Sequence, residues 1–184
     1  MRYVALLLAL MLAACSRGGF HMTDISGAMP RLDFKLTRAS DGRTVTGKDY
    51  RGKVAILYFG YTNCPDICPA TMANMAGVLS KVGSKNVRLL FVTVDPHRDT
   101  LAVLNRYVHA FSPQFDGLRG SDEELADVAR RYRVAYSVNA KPPYTVMHSN
   151  AVFFFDPTGR IRLVTTDTTD SGAIAEDVKK LLAS

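Results

Sequence analysis

Residues 54–69 of this 184-residue chain read VAILYFGYTNCPDICP, and this segment decides the fold. It opens with a nearly continuous apolar run, Val54 to Phe59, which is typical of a central strand buried on both faces of a sheet. A loop with two cysteines follows, and Pro69 suits the first position of a helix. In α/β sheets, ligands bind at the carboxyl ends of the strands. The segment therefore predicts a buried strand, a ligand-binding loop and a helix, in that order.

The helix is predicted to run from Pro69 to about Val82, with Gly83 as its stop. Its apolar residues recur at helical spacing and form one face: Met72, Met75, Leu79 and Val82. We interpret the two methionines as core residues rather than metal ligands, because their spacing matches a buried helical face.

Working outward, three more segments have the pattern of strands. Val87–Val94 and Ala151–Phe155 read as buried strands, and residues 160–163 alternate as an edge strand does, after the turn Asp156–Gly159. Before the central strand, residues 32–46 form two alternating runs around Asp41-Gly42, a typical hairpin signal. The sheet is therefore expected to carry an N-terminal β-hairpin extension.

Three more helices are indicated by apolar stripes in residues 101–111, 121–132 and 174–181, the second opened by a capping box of Ser121 and Glu124. The order strand-helix-strand-helix-helix-strand-strand-helix combines a parallel crossover with a terminal hairpin. It predicts an α/β protein with a mixed central sheet flanked by helices, and the arrangement resembles the thioredoxin-like fold.

Residues 1–14 are predicted to be a lipoprotein signal peptide. Arg2 supplies a positive charge, and the apolar stretch after it is shorter than the roughly 20 residues of a membrane-spanning helix. The stretch ends in Leu12-Ala13-Ala14-Cys15, which matches the bacterial lipobox, so Cys15 is the expected site of lipid attachment. An ordinary signal peptide with an accidental cysteine is the alternative.

The domain organisation follows from this interpretation. Residues 15–30 are expected to be a lipidated N-terminus and tether, and residues 31–184 the thioredoxin-like domain. A lipidated cysteine anchors a protein to a membrane surface without a spanning helix. We therefore expect a lipid-anchored protein of the bacterial cell envelope that faces the periplasm.

The charge of the chain does not indicate a nucleic-acid partner. The formal net charge is +6 and the sequence pI is about 9.3. The charged residues are scattered, with no basic run and no basic helical face, which is typical of a mildly basic solvated surface. Nucleic acid is therefore not expected as a partner.

Once lipid occupies Cys15, Cys64 and Cys68 are the free thiols, and an oxidising compartment would favour a disulfide. A disulfide across so short a loop removes little entropy from the unfolded chain, so chemistry is a better reason for the pair. Because Pro69 follows, Cys68 should cap the helix, where the helix dipole would lower the pKa of both thiols. Three intervening residues permit either a disulfide or a shared metal ion.

His148 is the third candidate, immediately before the third buried strand. Thioredoxin-like sequences usually have at this position a cis-proline that faces the cysteines. Two thiolates and one imidazole form a soft, low-coordinate set that suits Cu(I), whereas a structural zinc site normally needs a fourth ligand. A hydrogen-bonded loop histidine is the alternative. His97 and His109 are expected to be solvated or packed rather than ligands, and His21, in the tether, is expected to be free.

These features together resemble the Sco/SenC family of copper-delivery factors, and the resemblance covers nearly all of the mature chain. It rests most on the cysteine loop together with the Asp95-Pro96 segment. The matching segments are Thr23–Gly27, Tyr50–Lys53, Cys64–Cys68, Val94–Thr100, His148–Ser149 and Asp156–Arg160.

The resemblance implies copper, as Cu(I) or Cu(II), bound by Cys64, Cys68 and His148, with Asp66 as an acid in the loop. It also implies delivery to the CuA site of cytochrome c oxidase subunit II. Two positions depart from the family pattern: Asn63 stands where a histidine is common, and Met147 where an aspartate is common. That aspartate could orient the imidazole or a partner, so Met147 bears on affinity or partner choice.

Two functions of different classes follow. The leading one is a metallochaperone, not an enzyme, that transfers copper by ligand exchange, with other periplasmic copper carriers as further partners. The alternative is a thiol-disulfide oxidoreductase whose redox-active pair, Cys64 and Cys68, keeps the recipient's CuA cysteines reduced, served by thioredoxin-like reductases. A thiol peroxidase is disfavoured because the Thr-x-x-Cys motif of that class is missing. His148 favours copper, since thiol exchange needs no imidazole.

Overall fold

The computed structural model describes residues 19–184, which form ten strands, four α-helices and one short 3₁₀-helix, Gly47–Tyr50. The α-helices are α1 Ile67–Val82, α2 Leu101–His109, α3 Asp122–Arg131 and α4 Ser171–Leu182. The strands are β1 Thr23–Asp24, β2 Lys35–Arg38, β3 Thr44–Thr46, β4 Val54–Gly60, β5 Val87–Thr93, β6 Phe115–Arg119, β7 Tyr136–Asn139, β8 Thr145–His148, β9 Val152–Phe155 and β10 Ile161–Thr165.

Eight strands form one mixed sheet in the order β1-β10-β9-β4-β5-β6-β2-β3. β4, β5 and β6 are parallel, and β9 lies antiparallel to β4 on its other side. Every residue of β4 and β9 is buried, as their apolar runs predicted. α1 packs against α4, and α2 packs against β6. The predicted mixed sheet flanked by helices is confirmed.

The predicted hairpin extension is also confirmed. β2 and β3 are antiparallel, Leu36 lies opposite Val45, and both side chains are buried. Gly42 takes a left-handed conformation, with φ of 69°, in the connecting turn. β2 also pairs with β6, so the hairpin extends the sheet at one edge.

The prediction of the strands needed correction. β6 was missed because its sequence, FDGLR, puts a charge and a glycine in the middle; pairing with β5 and β2 makes it a strand. The ribbon of β7 and β8 was missed because it contains no long apolar run. The expected edge strand β10 is not at the edge, since β1 pairs with it.

The described part of the expected tether is not free. The side chain of Met22 is buried, and the main-chain amides of His21 and Met22 donate hydrogen bonds to the buried carboxylate of Asp177 on α4. His21, expected to be free, also places Nε2 3.0 Å from the carboxylate of Glu176. The folded domain therefore begins well before residue 31. The predicted signal peptide and Cys15 lie outside the described residues.

The first helix starts earlier than predicted, at Ile67 rather than Pro69, and Asp66 rather than Cys68 is its N-cap. Pro69 still lies in the first turn, where backbone amides have no helical partner. Met72 and Met75 are fully buried, as predicted for core residues. Among residues 19–184, no helix is long and apolar enough to cross a membrane.

Candidate metal centre

The side chains of Cys64, Cys68 and His148 lie close together, although Cys68 and His148 are 80 residues apart in the sequence. One ligand atom of each, Sγ or an imidazole nitrogen, lies within 4.8 Å of the other two. Within the described part of the chain, no further cysteine, histidine or acidic side chain joins this group. The geometry thus brings together the three residues that the sequence predicted.

Three separate backbone segments position the group. Cys64 lies in the loop after β4, Cys68 in the first turn of α1, and His148 at the end of β8. The amide of Cys68 donates a hydrogen bond to Cys64 Sγ at 3.4 Å, which folds the cysteine loop back on the helix. Cys68 Sγ lies 3.2 Å from His148 Nε2.

The orientation of the imidazole favours a role as ligand. His148 Nδ1 donates a hydrogen bond to the main-chain oxygen of Ser149, at 3.0 Å. In the neutral ring this leaves the lone pair of Nε2 directed at the cysteine sulfurs. Burial lowers the pKa of His148, which keeps the ring neutral and available to a metal. The rings of Tyr58 and Tyr61 meet the imidazole edge to face, at 6.1 and 5.8 Å between centroids.

The two thiols differ in their electrostatics. Burial acts to raise the pKa of Cys64, but hydrogen bonds to its sulfur from the amides of Cys68 and Asp66 outweigh it, and the pKa is lowered. Cys68 is fully buried, and burial raises its pKa to about 12. The expectation that the helix terminus lowers both pKa values is right for Cys64 and wrong for Cys68. Desolvation exceeds the helix dipole at the buried sulfur.

Gly60, the last residue of β4, makes room for the buried sulfur. A Cβ atom at this position would lie 2.9 Å from Cys68 Sγ and 2.7 Å from a ring carbon of Phe91. A side chain there would have to displace one of them. Gly60 is visible in the sequence, but only the packing around it shows why no larger residue fits at this position.

The other predicted site residues lie outside the group. Asp66 is exposed, and its amide rather than its carboxylate interacts with Cys64. Met147 is 71% exposed and, as the neighbour of His148 on a strand, faces the other way. His97 is exposed and places Nε2 3.3 Å from the carboxylate of Asp122, and His109 is the exposed last residue of α2.

Sequence reasoning assigned no role to the loop after β5, yet this loop holds the cysteine loop in place. The fully buried carboxylate of Asp99 accepts hydrogen bonds from the amide and hydroxyl of Thr62, two residues before Cys64, and from the hydroxyl of Thr93. Buried carboxylates persist where several donors satisfy them. The acidic motif around Asp95 was visible in the sequence, but its contact with the cysteine loop was not.

Comparison with known proteins assigns the family. The family model described as SCO1/SenC matches residues 25–183. The chain belongs to the SCO1/SenC family. A curated relative, the mitochondrial SCO2 homolog of Bos taurus, is 39% identical over 150 residues, which are 78% of this chain and 56% of that protein. The chain therefore spans little more than half the length of that SCO1/SenC relative.

Solved structures of the SCO1/SenC family agree with the fold. Copper-bound ScoI of Arabidopsis thaliana superposes with a TM-score of 0.76 at 36% identity, covering 83% of this chain and 98% of that one. Copper-bound ScoI of Bradyrhizobium japonicum gives 0.74 at 33% identity, covering 82% and 98%. The predicted thioredoxin-like fold and the predicted family are both confirmed.

Proposed function

We propose that this chain is a copper chaperone that binds Cu(I) through Cys64, Cys68 and His148. The copper is cargo, passed on by ligand exchange to the CuA site of cytochrome c oxidase subunit II. The observation that carries the proposal is the convergence of two sulfurs and one imidazole within 4.8 Å. The copper-bound structures of two family members support it.

The chemistry of the donor set favours copper over zinc. Soft thiolates select Cu(I), which accepts two or three ligands, whereas a structural zinc site is four-coordinate. The described residues offer three ligands to one ion and no fourth from a cysteine, histidine or carboxylate. The hydrogen bond from Nδ1 to Ser149 fixes Nε2 as the imidazole's metal-binding atom.

The different burial of the ligands suits transfer of the ion. Cys64 and His148 are half-buried, so an incoming ligand can reach them, whereas Cys68 is fully buried. A recipient's cysteine would replace Cys64 or His148 first and Cys68 last. Copper could then move through shared intermediates without ever being released to solvent.

A thiol-disulfide oxidoreductase is the second candidate, and the lowered pKa of Cys64 favours it. Exchange begins with attack by a thiolate, and Cys64 is the more accessible and more acidic thiol. In this function Cys64 attacks a disulfide of the recipient and Cys68 resolves the mixed disulfide. Two electrons pass to the recipient, and Cys64 and Cys68 are left as a disulfide that an external dithiol reductant must reduce.

Copper stoichiometry tests the leading proposal. We expect the reduced protein to retain one copper after dialysis, with X-ray absorption showing two sulfur neighbours and one nitrogen. A matched sample with Cys64 and Cys68 oxidised to a disulfide should retain none, because its sulfurs cannot act as thiolates. Substoichiometric copper with only nitrogen and oxygen neighbours would contradict copper binding at this site.

We further propose that lipid on Cys15 anchors the protein to the bacterial cell envelope, facing the periplasm. The proposal rests on the lipobox in the sequence. Residue 19 already lies on the domain, where Lys180 donates a hydrogen bond to the main-chain oxygen of Gly19. Four residues span at most about 14 Å, so such an anchor would hold the domain close to the membrane surface.

Replacing Cys15 with serine tests the anchor. Cys15→Ser, made in a protein exported by the cleavable signal peptide of a non-lipidated protein, is expected to move the protein from the membrane pellet to the soluble fraction without unfolding it, because the change then removes only the lipid attachment. Fractionation after a salt wash, with circular dichroism of the released protein, measures both effects. A Cys15→Ser protein that stays in the pellet would place the anchor elsewhere.

A further inference from the structure

The β-ribbon that carries His148 has little stability of its own. β7 and β8 form a two-stranded ribbon outside the eight-stranded sheet, and His148 is the last residue of β8, opposite Tyr136. A ribbon of two strands is marginally stable by itself. Tyr136 and Val146 pack only partly against the core, so the ribbon needs further attachments to hold an imidazole in place.

One such attachment lies at the start of β8. The guanidinium of Arg98 stacks on the ring of Tyr144, with 3.9 Å from Cζ to the ring centroid, and it also faces Tyr61 at 5.8 Å. The same guanidinium forms an ion pair with the fully buried carboxylate of Asp95. The hydroxyl of Tyr144 donates a hydrogen bond to that carboxylate at 2.7 Å. We call Asp95, Arg98 and Tyr144 the clasp.

The loop that carries Asp95 and Arg98 is itself held in place by hydrogen bonds. Arg119 on β6 donates hydrogen bonds to the main-chain oxygens of Pro96 and Asp99, at 2.9 and 3.1 Å. Asp99, from the same loop, holds Thr62 of the cysteine loop. The loop after β5 therefore contacts both segments of the candidate site. Asp99 binds the segment that bears Cys64, and Asp95 binds the segment that bears His148.

We propose that Arg98 is a positioning residue that sets His148 against the two cysteines through Tyr144 and β8. This inference rests on the proposed copper binding. Arg98 contributes no ligand atom to the metal-binding group. It acts by restricting the ribbon, so its removal leaves all three ligands in the chain but lets the imidazole move away from the sulfurs. Arginine is suited to the task, because its planar group stacks on a ring while pairing with a carboxylate.

A double-mutant cycle with His148 tests the inference. Arg98→Ala and Tyr144→Ala are each expected to lower Cu(I) affinity about tenfold, as measured by competition with a chromophoric chelator on the reduced full-length protein in detergent. In a His148→Ala background the same changes should have almost no further effect, because the residue through which they act is gone. Tyr144→Ala leaves the ion pair between Arg98 and Asp95 intact, so it remains informative if Arg98→Ala does not fold.

The matched control is Arg130→Ala, which removes an exposed arginine paired with Asp127 on α3 and should leave affinity unchanged. Equal losses with and without His148, or no loss in either, would overturn the inference. A second measurement needs no copper: in the metal-free reduced protein, Arg98→Ala should shift and broaden the ¹⁵N resonances of the His148 ring. Unchanged resonances would also overturn it, even if wild-type protein failed to bind copper and the proposed function itself were wrong.

Discussion

Iodoacetamide is expected to modify Cys64 of the reduced, metal-free protein roughly a hundredfold faster than Cys68 at pH 8, because a difference of about a thousandfold in ionised fraction is partly offset by the greater nucleophilicity of the more basic thiolate. The thiolate is the reacting species. A thiol with a pKa of about 12, as burial gives Cys68, is ionised to about one part in 10⁴ at this pH. The pKa of Cys64 is lowered below the ordinary value of 9.0, so at least about a tenth of it is ionised.

Mass spectrometry of the two peptides after a short pulse of reagent measures the ratio. A Cys64→Ser variant is the control, since its one remaining thiol within the domain, Cys68, should stay unmodified over the same interval. Labelling of Cys64 should increase with pH only until its lowered pKa is passed, whereas labelling of Cys68 should still be increasing near pH 11. Equal labelling of both thiols would contradict the difference in burial on which the order of copper transfer rests.

This asymmetry is compatible with both proposed functions. An accessible thiolate beside a buried thiol suits an attacking and a resolving cysteine as well as it suits a ligand that leaves early and one that leaves late. The cysteine pair alone therefore does not separate delivery from reduction. His148 does, because an imidazole is needed to complete a copper site and is not needed for thiol exchange.

Much of the fold could be predicted from local patterns in the sequence. The apolar run of β4 needed no tertiary information, because a strand buried on both faces is apolar at every position. The capping box of Ser121 and Glu124 likewise marked the start of α3, and both of its hydrogen bonds are present. Such signals lie within a few residues of the structure that they specify.

The missed elements depend on distant partners. β6 contains Asp116 and Gly117 and becomes a strand by pairing with β5, while Gly117 leaves room for the side chain of Leu104. β1 has only two residues, too few for any periodicity to show. Pairing across the sheet outweighs local preference at such positions.

The sequence predicted which three residues come together at the candidate site, but not the energetics of that site. The two cysteines and His148 have chemistry that few other residues offer, so residue type and place were enough. The raised pKa of Cys68 and the clasp around Arg98 could not be foreseen in the same way. Both depend on how deeply a group is buried and on which side chain faces it, and a single sequence does not record these quantities.

His148→Ala is expected to separate delivery from redox chemistry. The variant keeps both thiols but opens the copper shell, so Cu(II) affinity should fall strongly and Cu(I) affinity less, because Cu(II) prefers imidazole more. Disulfide formation between Cys64 and Cys68 should survive, since it depends on thiolate availability and on the geometry of the loop. A chaperone would thus lose oxidase assembly although its dithiol still cycles.

The measurement is cytochrome oxidase activity in a strain that carries only the His148→Ala protein, grown at low copper so that delivery limits assembly. His97→Ala is the matched control, because His97 is exposed, lies beside Asp122 and is outside the metal-binding group. A reductase would keep assembly active, since thiol exchange proceeds by thiolate attack without the imidazole. Wild-type oxidase activity from a His148→Ala protein that binds copper poorly would therefore reject delivery and establish the oxidoreductase as the better account.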